Sequence, residues 1–156
     1  MKKEIIPYTR NIAYYETDQM GIVHHSNYIR WFEEARIDFL EKIGLPYSKM
    51  EEAGILIPVL SAACEYKYAM RFGQRFQITL RIVSFTGVKF LVLYEVTDAD
   101  TGKLHATGKS AHCFVTNDMV PIRMKKEHPD IYRSLMEYVQ PLQDEITGLD
   151  KSSRMH

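Results

Sequence analysis

The chain has little that could cross-link it or give it a net charge. Only two cysteines occur, Cys64 and Cys113, far apart and outside any CxxC spacing. A disulfide framework is therefore excluded as an organising device, and both thiols read as reduced, buried small hydrophobes in strand-like alternations. Net charge is also missing, because 20 basic residues balance 20 acidic ones. That argues against nucleic acid or an anionic membrane as partner, since both call for a basic excess. It also favours self-association. No apolar run approaches the roughly 20 residues of a membrane-spanning helix. The opening Met1-Lys2-Lys3-Glu4-Ile5-Ile6-Pro7-Tyr8 has no apolar signal core, so the expected location is cytoplasmic. Repeats and low-complexity linkers are absent. So are the G-x-S-x-G, G-x-G-x-x-G and P-loop patterns, which removes the usual hydrolase, dinucleotide and nucleotide-binding readings.

What is present fits one domain, expected over residues 1–141, with a polar tail over 142–156. Residues Glu4 to Tyr15 read as a strand. From Asn27 to Ile43 the spacing turns helical: Tyr28, Phe32, Ala35, Phe39 and Ile43 recur on one face, widened by Ile29, Trp31 and Leu40. Ser26 or Asn27 is the expected cap, and Gly44 with Pro46 the stop. An apolar arc this broad implies a helix with sheet wrapped around it. A short helix is expected over Ser48 to Ala53, closed by Gly54. Four strands follow, over Cys64–Met70, Phe76–Ile82, Val88–Val96 and Lys103–Thr116. Pro129 suits the first position of a last helix carrying Ile131, Leu135, Met136 and Val139. The class is α+β, with an antiparallel meander. A single helix covers one sheet face, so Phe90, Val92 and Phe114 point to a second subunit on the other.

The chemistry concentrates between Asp18 and Tyr28. An acid sits at the exit of a strand, Gly21 allows a tight turn, and small polar residues then open a helix. A helix start presents unpaired N–H groups and the positive end of the macrodipole. A carboxylate opposite such an end is a minimal kit for acyl chemistry, one group to attack or activate water and one dipole to receive an oxyanion. The bland role for Asp18 is helix capping. Eight or nine residues separate it from Ser26 and Asn27, too many for a direct cap, although the Gly21 turn could fold it back.

His24 and His25 invite a metal reading. Neighbours in an extended segment point to opposite faces, no HxxxH or HxH spacing exists, and His105, His112 and His128 are scattered. No metal is expected. Arg36 falls inside the apolar arc and needs a partner. Glu33, one turn back, is the expected one, with an anionic substrate as the alternative.

The run Tyr15-Glu16-Thr17-Asp18-Gln19-Met20-Gly21-Ile22-Val23-His24-His25-Ser26-Asn27-Tyr28, followed by Phe32-Glu33-Glu34-Ala35-Arg36, resembles the signature of hotdog-fold acyl-CoA thioesterases. The similarity is to the 4-hydroxybenzoyl-CoA thioesterase family and its short-chain acyl-CoA relatives. His112-Cys113-Phe114-Val115 with Pro121 and Arg123 is similar to that family's last strand, so the resemblance spans about residues 4–137. It implies a curved antiparallel sheet of about five strands around one long helix. It further implies pairs of subunits that join their sheets side by side, in a homodimer or homotetramer, and a site at their interface. Asp18 would be nucleophile or general base, and the backbone N–H of His25 would polarise the thioester carbonyl. Coenzyme A would be part of the substrate, not a cofactor, with Lys67, Arg71, Arg75 and Lys89 as candidates to hold it. An acyl-carrier-protein substrate is possible on the same motif. Rival readings are a hotdog acyl-CoA hydratase or dehydratase using the His25 ring, and a non-catalytic acyl-thioester binding module.

Overall fold

The computed structural model describes residues 2–142, so the expected polar tail over 142–156 lies almost wholly outside the described residues. Five strands form one antiparallel sheet: β1 (Tyr8–Asn11), β2 (Val59–Tyr66), β3 (Arg75–Phe85), β4 (Lys89–Asp98) and β5 (Leu104–Cys113). Their order across the sheet is β1-β3-β4-β5-β2, which leaves β1 and β2 as edges. The long helix α1 (Ser26–Lys42) lies in the concavity, and α2 (Tyr47–Glu52), α3 (Met124–Glu127) and α4 (Pro129–Met136) are the other α-helices among the described residues. This is the open hotdog arrangement expected from the sequence, but the four later strands are not one meander: only β3, β4 and β5 follow in order, and β2 crosses to pair with β5. Among the described residues no helix is long and apolar enough to cross a membrane.

The sheet curls around α1 because both contribute large rings to one core. Trp31 stacks on Phe76 at 4.0 Å, and Phe32 stacks on Tyr94 at 4.2 Å with the ring planes nearly parallel. Phe32 reaches so close to β5 that a Cβ on Gly108 would stand 2.3 Å from its ring. Gly108 thus explains itself: a glycine inside a strand marks a close approach, here of a side chain from the helix.

Several expectations need correction. Phe90, Val92 and Phe114 do not face outward. They lie on the concave side with the core, where Leu135 of α4 joins α1 in covering them. The first strand ends at Asn11, because the Ala13 N–H turns to the Glu16 carboxylate at 2.8 Å and starts a 3₁₀ turn over Tyr14–Glu16. The second strand begins at Val59, not Cys64, and stops at Tyr66. It is an edge strand, exposed along almost its whole length, so no inward alternation marked its first half. Beyond it Lys67 and Tyr68 both donate to the His105 carbonyl, which ends the ladder. Ile29 is exposed instead of widening the apolar arc, and Val139 lies past the last helix, bridged to Ile82. Cys113 is buried, whereas Cys64 is half-buried; both are free thiols.

Candidate active site

The Asp18 loop is a closed turn. Thr17 and Val23 pair as an isolated bridge, the Asp18 N–H donates to the Ile22 carbonyl at 2.8 Å, and the Gly21 N–H donates back to the Asp18 carbonyl at 2.9 Å. Gly21 sits at φ +78°, in the left-handed region where a side chain is strained. The loop therefore folds Asp18 back toward the start of α1, as the Gly21 turn suggested. Asp18, His25, Tyr28, Tyr66 and Lys67 line one open cleft of about 250 Å³. One Asp18 oxygen accepts the Met20 N–H at 2.8 Å, the local turn contact a bland reading predicts. No other hydrogen bond from the described residues reaches its carboxylate, which is half-buried.

The helix start has an unusual cap. Neither Ser26 nor Asn27 caps it. His25 occupies the cap position in helical conformation, with no side-chain cap bond. The His24 imidazole takes the capping role: its Nδ1 receives the Ser26 N–H at 3.2 Å and pairs with the Ser26 hydroxyl at 2.8 Å. The Asn27 amide instead donates to the Glu16 carbonyl at 2.8 Å. Around this turn the N–H groups of His24, Ser26, Asn27 and Tyr28 all find acceptors. The N–H of His25 finds none among the described residues, and it lies at the positive end of the helix dipole. The Tyr66 hydroxyl donates to the His25 carbonyl at 3.0 Å and ties the turn to β2.

The two histidine rings do not diverge. They stack at 4.2 Å, because His25 already turns into the helix and the segment is not extended there. No group of three or more His, Cys, Asp or Glu among the described residues is arranged to hold a metal. Arg36 makes no ion pair with Glu33. It donates to the Tyr94 hydroxyl at 2.9 Å, which contacts Ser110 Oγ at 2.5 Å, and Ser110 in turn contacts His112 Nε2 at 2.7 Å. Arg36 points along the core, and exposed Glu33 does not follow it. Burial, with Arg36 nearby, pushes the His112 imidazole down to about 4.

Of the four basic candidates, Lys67 lines the cleft, and Arg71 reaches the Gly21 carbonyl at 3.5 Å. Arg75 is paired with Asp100 at 2.9 Å. Lys89 sits opposite Cys113, at the far end of β5 from the cleft. Burial pushes the Cys64 thiol up to about 11, against a weaker pull from Tyr66.

The sequence reading missed Glu16. Its buried carboxylate accepts two guanidinium bonds from Arg10 at 2.8 and 2.7 Å, the Trp31 indole N–H at 2.7 Å, and the Ala13 N–H. Its carbonyl accepts the His24 N–H at 2.8 Å and the Asn27 amide. Burial alone would raise its pKa, but Arg10, Trp31 and Ala13 outweigh it and hold the carboxyl below its usual range. The spacing holds only half of a capping box, since Glu16 follows Ala13 by three residues but Ala13 has no side-chain acceptor to mark the turn.

A family model, the thioesterase-like superfamily, matches residues 12–132. The "Putative acyl-CoA thioesterase YneP" of Bacillus subtilis is 35% identical over 83% of this chain and 90% of its own. Among solved structures, a hypothetical protein from Aquifex aeolicus is 37% identical with a TM-score of 0.74, over 83% of this chain and 98% of its own. A DHNA-CoA thioesterase from Staphylococcus aureus is 26% identical with a TM-score of 0.78, over 94% and 93%. The match takes in the Asp18 turn, the whole of α1 and strands β2 to β5, so the chain belongs to the thioesterase-like superfamily and is a thioester hydrolase.

Proposed function

We propose that the protein hydrolyses an acyl-CoA thioester to a free carboxylic acid and coenzyme A. The observation that carries this reading is the pairing, in one cleft, of a half-buried carboxylate with a helix-start N–H that has no acceptor among the described residues. The thioester carbonyl oxygen docks on the His25 N–H, which stabilises the oxyanion as it forms. Asp18 either attacks the carbonyl, forming an acyl-aspartate anhydride that water then hydrolyses to the free acid, or takes a proton from the water that attacks directly. Either route leaves the thiolate of coenzyme A as leaving group. Lys67 and Arg71, at the rim, suit its phosphates. The protein acts as a homodimer or larger assembly. In one copy β2 is an open edge, and Val59, Leu60, Tyr66, Tyr68 and Phe72 beside it are all at least half exposed.

The test is a panel of acetyl-, butyryl-, octanoyl-, palmitoyl- and benzoyl-CoA, with free thiol as the readout. Thiol release from at least one supports the reading. Release from the matching acyl-carrier-protein thioester alone reassigns the carrier, and hydration without thiol release contradicts hydrolysis.

A further inference from the structure

Behind the cleft, between α1 and the sheet, lies a second and narrower cavity of about 30 Å³. Its walls are apolar, built from Phe39, Leu80, Val92, Phe114 and Leu135, with Arg36 at one side. The two spaces lie in line. On α1, Tyr28 faces the cleft and Arg36 the cavity, and Phe32 stands between them at one-turn steps on the same face. The strands repeat this order. Tyr66 pairs with Ala106 at the cleft end; Cys64 and Tyr94 pair with Gly108 in the middle; Val92 pairs with Ser110 at the cavity. The middle layer is closed by Phe32, which is 1% exposed, stacked on Tyr94 and pressed into the space left by Gly108.

We propose that Phe32 is the specificity-determining floor of the acyl pocket. This rests on the acyl-CoA reading above. With the carbonyl at the His25 N–H and coenzyme A toward the basic rim, the acyl group points inward over Tyr28 and stops at the Phe32 ring. Wild-type protein therefore takes short or compact acyl groups. Shortening Phe32 joins the cleft to the inner cavity and lengthens the chain accepted by several methylenes.

The experiment titrates non-hydrolysable acyl-CoA thioethers of increasing chain length into wild type, Phe32→Leu and Phe32→Ala by calorimetry. Hydrolysis of the corresponding thioesters is followed in parallel. Affinity for wild type is expected to level off at short chains. In Phe32→Ala it continues to rise, by about fourfold for each further buried methylene, and the kcat/KM optimum moves with it. Phe32→Leu keeps enough packing to fold if the alanine variant does not, and shifts the limit by fewer carbons. Refilling the inner cavity in Phe32→Leu/Val92→Phe restores the wild-type profile. A folded variant whose chain-length profile matches wild type overturns the floor assignment, as does failure of the refilled variant to revert. Wild type that binds no thioether but still releases thiol from a carrier-protein thioester overturns the coenzyme A reading alone, and the same variants are then compared on carrier-bound chains.

Discussion

Trp31, in the middle of the first half of α1, donates its indole N–H to the buried carboxylate of Glu16 at 2.7 Å, while the Glu16 backbone carbonyl receives the N–H of His24. One residue thus fastens the helix interior with its side chain and the helix start with its main chain. Arg10 completes the clamp, reaching both Glu16 and Glu34 and lying over the Trp31 and Phe76 rings at 5.6 and 5.0 Å. Glu16→Gln removes the charge from this set. Hydrogen bonds to charged groups are worth about 1.5–3 kcal/mol each, and Glu34 still holds Arg10, so the expected loss is about 2–3 kcal/mol. Urea denaturation measures it. A loss below about 0.5 kcal/mol would show that the clamp does not hold the turn.

His112 makes stability depend on pH. Its imidazole is fully buried, its Nδ1 has no hydrogen-bond partner among the described residues, and its pKa falls from 6.5 to about 4 through burial and then Arg36. The unfolded chain binds this proton more readily than the folded one, so stability rises with pH across that window. It is fully present above about pH 6.5 and is lost progressively toward pH 4. Denaturation midpoints at pH 7, 6 and 5 should decline in wild type, and His112→Gln should flatten that decline. Glu16 adds its own loss only below its ordinary 4.5. Equal acid sensitivity in both proteins would remove His112 from the account.

Light scattering at micromolar concentration should give a dimer or tetramer. Leu60→Glu, a charge on the exposed edge strand β2, should shift it toward monomer and lower activity with it. A monomeric wild type with full activity would contradict an interface site.

Side chain and backbone separate at His25. The ring is exposed and stacks on His24, with Tyr66 edge-on at 6.4 Å. If the N–H is the oxyanion donor, His25→Ala keeps most activity. His25→Pro lacks the N–H yet suits a helix start, and loses about 10²–10³ in turnover. Circular dichroism and oligomeric state must match wild type in both. A well-folded but inactive His25→Ala would favour the hydratase reading, in which the ring carries the proton.

The sequence was most legible where periodicity and punctuation agreed. The α1 span was read to within one residue at each end, because apolar spacing, Gly44 and Pro46 all pointed the same way. The Asp18 loop was legible from its glycine. The edge strand β2 was not, because strands are recognised by an alternation of burial that an uncovered edge lacks. The partner of Arg36 was misread for a related reason. Helix spacing offers Glu33, whereas the Tyr94 hydroxyl is 58 residues away and is brought close only by the curl of the sheet. Glu16 escaped because its role depends on four donors gathered from three separate segments.

In the proposed reaction Asp18 does the chemistry. The most direct measurement is the turnover of Asp18→Asn on the best acyl-CoA substrate, with binding and melting temperature recorded beside it. The substitution keeps size and the contact to the Met20 N–H but removes the charge needed to attack or to accept a proton. Turnover should fall by about 10²–10⁴ while affinity and melting temperature stay near wild type. Retention of more than about a third of wild-type turnover would make Asp18 a turn residue and place the catalytic group elsewhere.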